Sequence, residues 1–179
     1  MAVLNVIQHT EIGSGGAATW EKTSISTSYD HLWLQCSLRS TTASSGTTEC
    51  YMRLNSDAGY AQYSATTIYA DSSGPSGTRQ LTSSGDAHYR VGYMPQASEL
   101  ASTFNGMSLW IPNYANTDNF KQCLLQAATQ YNHHSPWIGQ WNSAMCFRRT
   151  AAISAIKLWP LSGSFAQYST MTLYGVNGA

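Results

Sequence analysis

The chain has 179 residues and a mass of 19.5 kDa, the size of one domain with room for a core. Nine lysines and arginines balance nine aspartates and glutamates, and charged residues make up only 10% of the chain. This balance gives no electrostatic basis for binding nucleic acid or an anionic membrane, and no run approaches the roughly 18 apolar residues of a membrane span. The amino terminus also lacks the basic and apolar regions of a signal peptide, so we expect none of these features.

Alternating apolar and polar residues predict β-strands along most of the chain. In three clear runs every second residue is apolar: Leu32, Leu34, Cys36 and Leu38; Cys50, Met52 and Leu54; and Met107, Leu109 and Ile111. The polar loop 40–48 separates the first two runs and suits a connection between antiparallel strands. Gly- and Ser-rich clusters separate roughly ten strand candidates in all. The sequence therefore predicts an all-β fold, a single-domain antiparallel β-sandwich over residues 1–179.

The segment 119–130 departs from this pattern. Its apolar residues have the spacing of one face of a helix: Phe120, Cys123, Leu124, Ala127 and Ala128. If the same segment is a β-strand, with a period of two, one face of the strand carries Lys121, Cys123, Leu125 and Ala127. Periodicity alone favours the helix.

No pattern of residues predicts catalysis, a metal ion or a cofactor. A glycine pattern at 13–18 is followed by strand-like sequence instead of the helix that a dinucleotide site needs. Residues 55–59 begin like a calcium loop but lack its distal glutamate, and a plain turn is expected. Adjacent His133 and His134 are expected in a solvated loop. The four cysteines have no CxxC spacing and are expected as reduced thiols.

The chain is rich in aromatic residues, with six tryptophans and eleven tyrosines. Some of these oppose the apolar row of their own strand, and others lie in the region 131–141, where we expect a loop around Trp137 and Trp141. Outward aromatic side chains are typical of a subunit interface or of a platform that stacks on sugars. Both alternatives stay open for the candidate residues, which are Trp33, Tyr51, Trp110, Tyr131, Trp137 and Trp141.

Five stretches occur in the order found in a family of tailed-phage virion proteins: YDHLWL at 29–34, YMRLNSDAGYA at 51–61, IPNYANT at 111–117, AISAIKL at 152–158 and MTLYGV at 171–176. The chain resembles that family over nearly its whole length, and departs from it at Asn113, where Asp is usual. The resemblance implies a jelly-roll β-sandwich without catalysis. It also implies a strand after Thr117, against the periodicity, and we adopt the strand.

Members of this family serve as capsid decoration proteins, head fibres or tail-fibre tips. In this chain a strand-like run begins at Val3 and the family pattern continues to Val176, which leaves almost no residues for a fibre shaft. We therefore expect a decoration (cement) protein on the outer head surface of the virion. Its expected partners are the major capsid protein and further copies of itself, with a trimer as one candidate. The alternative is the receptor-binding tip of a tail or head fibre, with a host surface glycan as partner.

Overall fold

In a computed structural model of the chain, the residues described form twelve β-strands, two more than the roughly ten expected, in two sheets. The structure describes residues 3–71, 74–80, 87–131 and 137–178, with only the backbone described at positions 60, 71, 79, 80, 131, 137 and 138. The strands are β1 (Val3–Glu11), β2 (Trp20–Lys22), β3 (His31–Leu38), β4 (Thr47–Leu54), β5 (Tyr63–Asp71), β6 (Gly74–Gln80), β7 (Tyr89–Pro95), β8 (Asn105–Pro112), β9 (Lys121–Tyr131), β10 (Trp137–Phe147), β11 (Ile156–Pro160) and β12 (Thr170–Asn177). One short 3₁₀ turn, Tyr60–Gln62, precedes β5.

The strand pairing is that of a jelly roll. Strand β1 pairs with β12, β2 with β11, β3 with β8, and β4 with β7, all antiparallel. These nested pairs are those of one long hairpin, and rolling it up gives two four-stranded sheets, β1-β12-β3-β8 and β2-β11-β4-β7. The predicted all-β sandwich of jelly-roll type is confirmed.

Two additional hairpins enlarge one of the sheets. Strands β5–β6 follow β4, and β9–β10 follow β8, and both hairpins join the first sheet in the order β8-β9-β10-β5-β6. We call the resulting eight-stranded sheet the large sheet and the four-stranded one the small sheet. The large sheet therefore has more strands than the small sheet can cover.

The alternating rows form the core between the sheets. On β3 and β4 every second residue is buried, as the sequence predicts, and Leu34, Met52 and Leu109 have no exposed surface. Burying such side chains contributes about 1.5–3 kcal/mol each. Residues 39–46 connect β3 of the large sheet to β4 of the small sheet, and the last two residues of the predicted loop 40–48 belong to β4. The connection therefore crosses between sheets and does not join paired strands.

Strand β9 occupies the segment whose spacing resembles a helix. The helix that periodicity favours is therefore wrong, and the strand that the resemblance implies is confirmed. Pairing with β8 and β10 on both sides fixes the extended backbone. Lys121 at its start is buried, and its Nζ donates hydrogen bonds to the carbonyls of Asn119 at 2.8 Å and Thr150 at 2.7 Å, and also to that of Asn116.

Candidate functional site

The surface of the large sheet that points away from the small sheet is called here the outer face. Cross-strand partners place one apolar side chain from each of six consecutive strands in a single line. We call this line the aromatic row; from β1 to β10 it consists of Val6, Tyr174, Trp33, Trp110, Leu124 and Ala144. Val6 is 61% exposed and Leu124 56% exposed, whereas the rings between them are half-buried. The row is a continuous apolar surface open to solvent.

The tryptophans in the aromatic row are held in place by their neighbours. The Trp33 ring contacts Tyr174 with 5.7 Å between centroids, and Trp110 contacts His31 at 4.9 Å. The Trp33 indole Nε1 donates a hydrogen bond to Ser108 Oγ at 2.9 Å. These contacts hold the rings in one orientation, which lowers the conformational entropy that these side chains would lose when a partner binds.

A polar row runs beside the aromatic row on the same face. It consists of His9, Thr172, Gln35, Ser108, Gln126 and Asn142, again one residue per strand. The Gln35 amide donates to Ser108 Oγ at 2.8 Å, and His9 Nδ1 is 2.8 Å from Thr172 Oγ1. Seven neighbouring strands, β1, β12, β3, β8, β9, β10 and β5, form most of the outer face. Among the side chains described there, Glu11 is the one Asp, Glu, Lys or Arg that points outward. Over these seven strands, the described part of the outer face is therefore apolar and polar but almost uncharged.

The opposite surface, on the small sheet, has a different chemistry. Arg90 Nε forms an ion pair with Glu49 Oε1 at 3.0 Å, and the Tyr51 hydroxyl donates to the same carboxylate at 2.5 Å. The guanidinium of Arg53 lies 5.2 Å from the Trp159 ring centroid. Tyr51, predicted as an outward aromatic, thus lies on a charged surface typical of one that faces solvent.

Trp141 lies elsewhere, in a cleft where the inner side of the large sheet extends beyond β7 of the small sheet. The cleft has a volume of about 340 Å³, and its walls include Tyr69, Tyr93, Thr129 and Trp141. Trp141 is only 6% exposed, because it stacks on Tyr69 with 5.1 Å between centroids and meets Tyr93 edge-on at 5.2 Å. The expected loop is wrong here: strand β10 begins at Trp137 and continues through Trp141.

The candidate residues therefore fall into three places. Trp33 and Trp110 are adjacent partners on the outer face, Tyr51 is on the small sheet, and Trp141 lines the cleft. Tyr131 and Trp137 pair through their backbones at the end of the β9–β10 hairpin. Their side chains, together with His133 and His134, lie outside the part of the chain that the structure describes.

Sequence reasoning missed several residues of these surfaces. Periodicity alone places Leu124 on the apolar face of a helix, and the strand adopted for this segment did not identify it as an outward leucine between the inward Cys123 and Leu125. Tyr69 and Tyr93 carry no local signal, because what brings them to Trp141 is sheet pairing between distant segments. The signal that could have indicated the outer face is an apolar residue at an outward position of an otherwise alternating strand.

Other chemistry has little support in the described residues. Among them no three His, Cys, Asp or Glu side chains are grouped to hold a metal ion, and no helix has the length and apolarity to cross a membrane. The four cysteines are free, and burial raises the pKa of the Cys123 thiol to about 12. In comparisons with known proteins, no family model and no curated protein matches the chain.

Proposed function

We propose that this protein is a non-enzymatic structural protein of a tailed-phage particle, a capsid decoration (cement) protein on the outer surface of the head. The observation that carries the proposal is the outer face of the large sheet, with its aromatic row and, among the side chains described on the seven strands from β1 to β5, one outward carboxylate. The centres of protein interfaces are depleted of charge and enriched in aromatic residues. A jelly roll by itself assigns no function, so the argument depends on this face.

The size of the outer face suits a stable contact with a capsid lattice. Seven spacings of about 4.8 Å between eight strands make the sheet about 34 Å wide, and strands of eight residues are about 27 Å long. The resulting area of about 900 Å² is close to the roughly 800 Å² that each partner contributes to a standard interface. We assign the capsid surface as the occupant of this face.

The proposal is tested first by counting copies of the chain in purified particles. Quantitative mass spectrometry of particles from the phage that encodes the chain gives its ratio to the major capsid protein. We expect a ratio near one or another simple fraction of the lattice. A few copies per particle would favour the fibre-tip alternative, and absence from purified particles would overturn both.

A pair of variants tests which face binds. Leu124→Lys places a charge in the aromatic row, and Glu21→Lys places the same residue on an exposed position of the small sheet. In re-binding of purified protein to particles that lack it, we expect Leu124→Lys to weaken binding by about 2 kcal/mol or more, about thirtyfold, because its charge would be buried unpaired. Glu21→Lys should bind like the wild type. Equal binding by both variants would exclude the outer face.

We further propose that copies of the chain associate with one another at β1, which forms one edge of the large sheet. Val3 is 51% exposed and Leu4 is 48% exposed on this strand, and an edge strand offers unpaired backbone groups to another chain. Sedimentation velocity should give a dimer or trimer at micromolar concentration. If the protein is still a monomer at about 100 μM, the free energy of association is weaker than about 5.5 kcal/mol. That result would contradict self-association at β1.

The second candidate function is receptor recognition at the tip of a tail or head fibre. The observation that favours it is the cleft walled by Tyr69, Tyr93 and Trp141, because aromatic rings beside hydroxyl groups are typical of sites that bind sugars. A glycan array gives the direct test. Specific binding together with a low copy number would support this alternative, and a flat array would count against it.

A further inference from the structure

We propose that the cleft between the inner side of the large sheet and strand β7 is a binding site for a neutral sugar ring, such as one hexopyranose unit of a glycan. Its volume of about 340 Å³ is at the lower end of the roughly 300–1,000 Å³ of small-molecule sites. This inference deepens the second candidate function but does not depend on capsid attachment, which uses the outer face.

The aromatic wall of the cleft is a supported structure and not a loose surface ring. Trp141 is almost fully buried and stacks on Tyr69 at an interplanar angle of 21°, while Tyr93 meets it at 82°. The indole therefore acts as a positioning residue for the two tyrosines. Tyr69 is half-buried and presents remaining ring surface to the cleft, where the C–H groups of a sugar ring can pack.

The polar groups of the cleft are suited to hydroxyl partners. Thr47 and Thr78 line it, and within the described part of the chain their hydroxyls make no hydrogen bond. Thr129 donates its hydroxyl proton to the Tyr93 carbonyl, so its oxygen remains available as an acceptor. Sugar hydroxyls both donate and accept, which matches threonine hydroxyls.

Trp141 gives a second, independent indication of a ligand. Its Nε1 is buried and has no hydrogen-bond acceptor among the described residues. Buried donors are almost always paired in proteins, so an unpaired one in the wall of a cleft points to an acceptor from outside the chain. Because the Nε1 atom has almost no accessible surface, a sugar hydroxyl or a bound water molecule reaches it only when a side chain that covers it moves aside on binding.

The charge of the cleft favours a neutral ligand over an acidic sugar. Among the described residues that line the cleft, Arg90 is the one with a positively charged side chain. Its guanidinium already forms an ion pair with Glu49 at 3.0 Å. An acidic sugar would bring a second carboxylate to an arginine whose charge is balanced. The hydrophobic surroundings of Tyr93 also raise the pKa of its phenol, so this wall stays neutral above physiological pH.

The experiment follows the Trp141 indole N–H by ¹H–¹⁵N NMR, with the signal assigned from Trp141→Phe. Methyl glycosides of glucose, galactose, mannose and N-acetylglucosamine are titrated to about 50 mM, with glucuronic acid as the charged comparison. We expect a saturable shift with at least one neutral glycoside, with a Kd of about 1–10 mM. Glucuronic acid should bind no more tightly than the best neutral sugar.

Three variants complete the test. Tyr69→Ala should weaken binding about tenfold and Thr78→Ala, at an exposed position, about threefold, whereas Tyr174→Ala on the outer face should bind like the wild type. Thr78→Ala gives an answer even if Tyr69→Ala fails to fold. No saturable shift with any glycoside, tighter binding of glucuronic acid, or unchanged binding in both cleft variants would overturn the proposal.

Discussion

Asp57 fixes the turn between β4 and the short helix before β5. Its Oδ1 accepts a hydrogen bond from the Gly59 amide at 2.7 Å, and its Oδ2 lies 2.6 Å from Arg149 Nε. Partial burial alone would raise the pKa of this carboxyl, but Arg149, the Gly59 amide and the charge of Arg53 together lower it below its ordinary value. The segment that resembles a calcium loop in sequence is thus a turn closed by an arginine.

The lowered pKa makes the stability of the fold depend on pH. The folded pKa of Asp57 is below the unfolded value of about 3.9, so its stabilisation is complete above about pH 4 and is lost as pH falls through the folded pKa. We expect Asp57→Asn to be less stable than the wild type at pH 7, with a difference that shrinks between about pH 4 and pH 2.

Urea denaturation across this pH range measures the effect. Glu11→Gln is the control, because it removes the negative charge of a carboxylate that is exposed at the end of β1. A constant difference between Asp57→Asn and the wild type from pH 7 to pH 2 would contradict the prediction.

The burial of two positively charged side chains, Arg39 and Lys121, could not be predicted from the sequence. The Arg39 guanidinium donates hydrogen bonds to four backbone carbonyls in the loop 97–103. Its distances to the carbonyl oxygens of Leu100 and Thr103 are 2.7 Å and 2.9 Å. Lys121 is similarly surrounded by carbonyls at the start of β9. Charged residues are normally expected at the surface, and only the folded positions of distant loops explain why these two are inside.

At the scale of the element, β12 depends on a glycine where an aromatic ring crosses it. A Cβ atom added at Gly175 would lie 2.3 Å from Cγ of Tyr29. Tyr29 packs against the core, and its ring therefore occupies the space of a side chain that β12 does not have. The backbone of β12 and the segment before β3 are fitted to each other at this point.

We expect Gly175→Ala to destabilise the protein by about 2 kcal/mol or more, because the new methyl group must expel the Tyr29 ring. The control is Gly106→Ala in β8 of the same sheet, where an added Cβ meets nothing within 4 Å. Thermal or urea unfolding should leave this control within about 0.5 kcal/mol of the wild type. Equal stability of the two variants would show that Tyr29 moves aside without cost.

Strand β9 explains where element prediction succeeds and where it fails. The alternation in β3, β4 and β8 is readable because nearly all of their inward residues are apolar and most outward residues of β3 and β4 are polar. In β9 the inward Cys123 and Ala127 alternate correctly, but Leu124 and Ala128 are apolar on the outer face. The outward Leu124 and Ala128 are four positions apart in the sequence, and the inward residues are two positions apart. Together they give the i, i+3, i+4 spacing of apolar residues that is typical of a helix. Leu124, which makes the segment resemble a helix, is therefore part of the proposed attachment surface.

At the scale of the whole molecule, the sequence predicts a sandwich but not its pairing. The Gly- and Ser-rich clusters mark where strands end, yet the partner of β1 is β12, at the other end of the chain. No local signal encodes such a pairing, because it depends on which nested hairpin closes the core. The family resemblance implied the jelly-roll type, whereas the alignment of the aromatic row is visible only in the strand register of the structure.

The distribution of charge over the molecule leads to a last prediction. The chain has a formal net charge of zero, and its outer face carries Glu11 as the one charged side chain described on the seven strands from β1 to β5. Raising NaCl from 0.1 M to 1 M shortens the Debye length from about 10 Å to about 3 Å, which weakens contacts between charges but not apolar ones. We expect the Kd for re-binding to particles to change by less than about threefold.

Binding isotherms at the two salt concentrations check this, with light scattering of the particles alone as a control for their integrity. An attachment that used the charged surface of the small sheet, around Glu49, Arg53 and Arg90, would weaken by tenfold or more over the same range. Strong salt dependence with intact particles would therefore contradict the assignment of the outer face. Because the two surfaces of the sandwich differ in charge, salt dependence tests which of them would be the contact surface in the proposed capsid attachment.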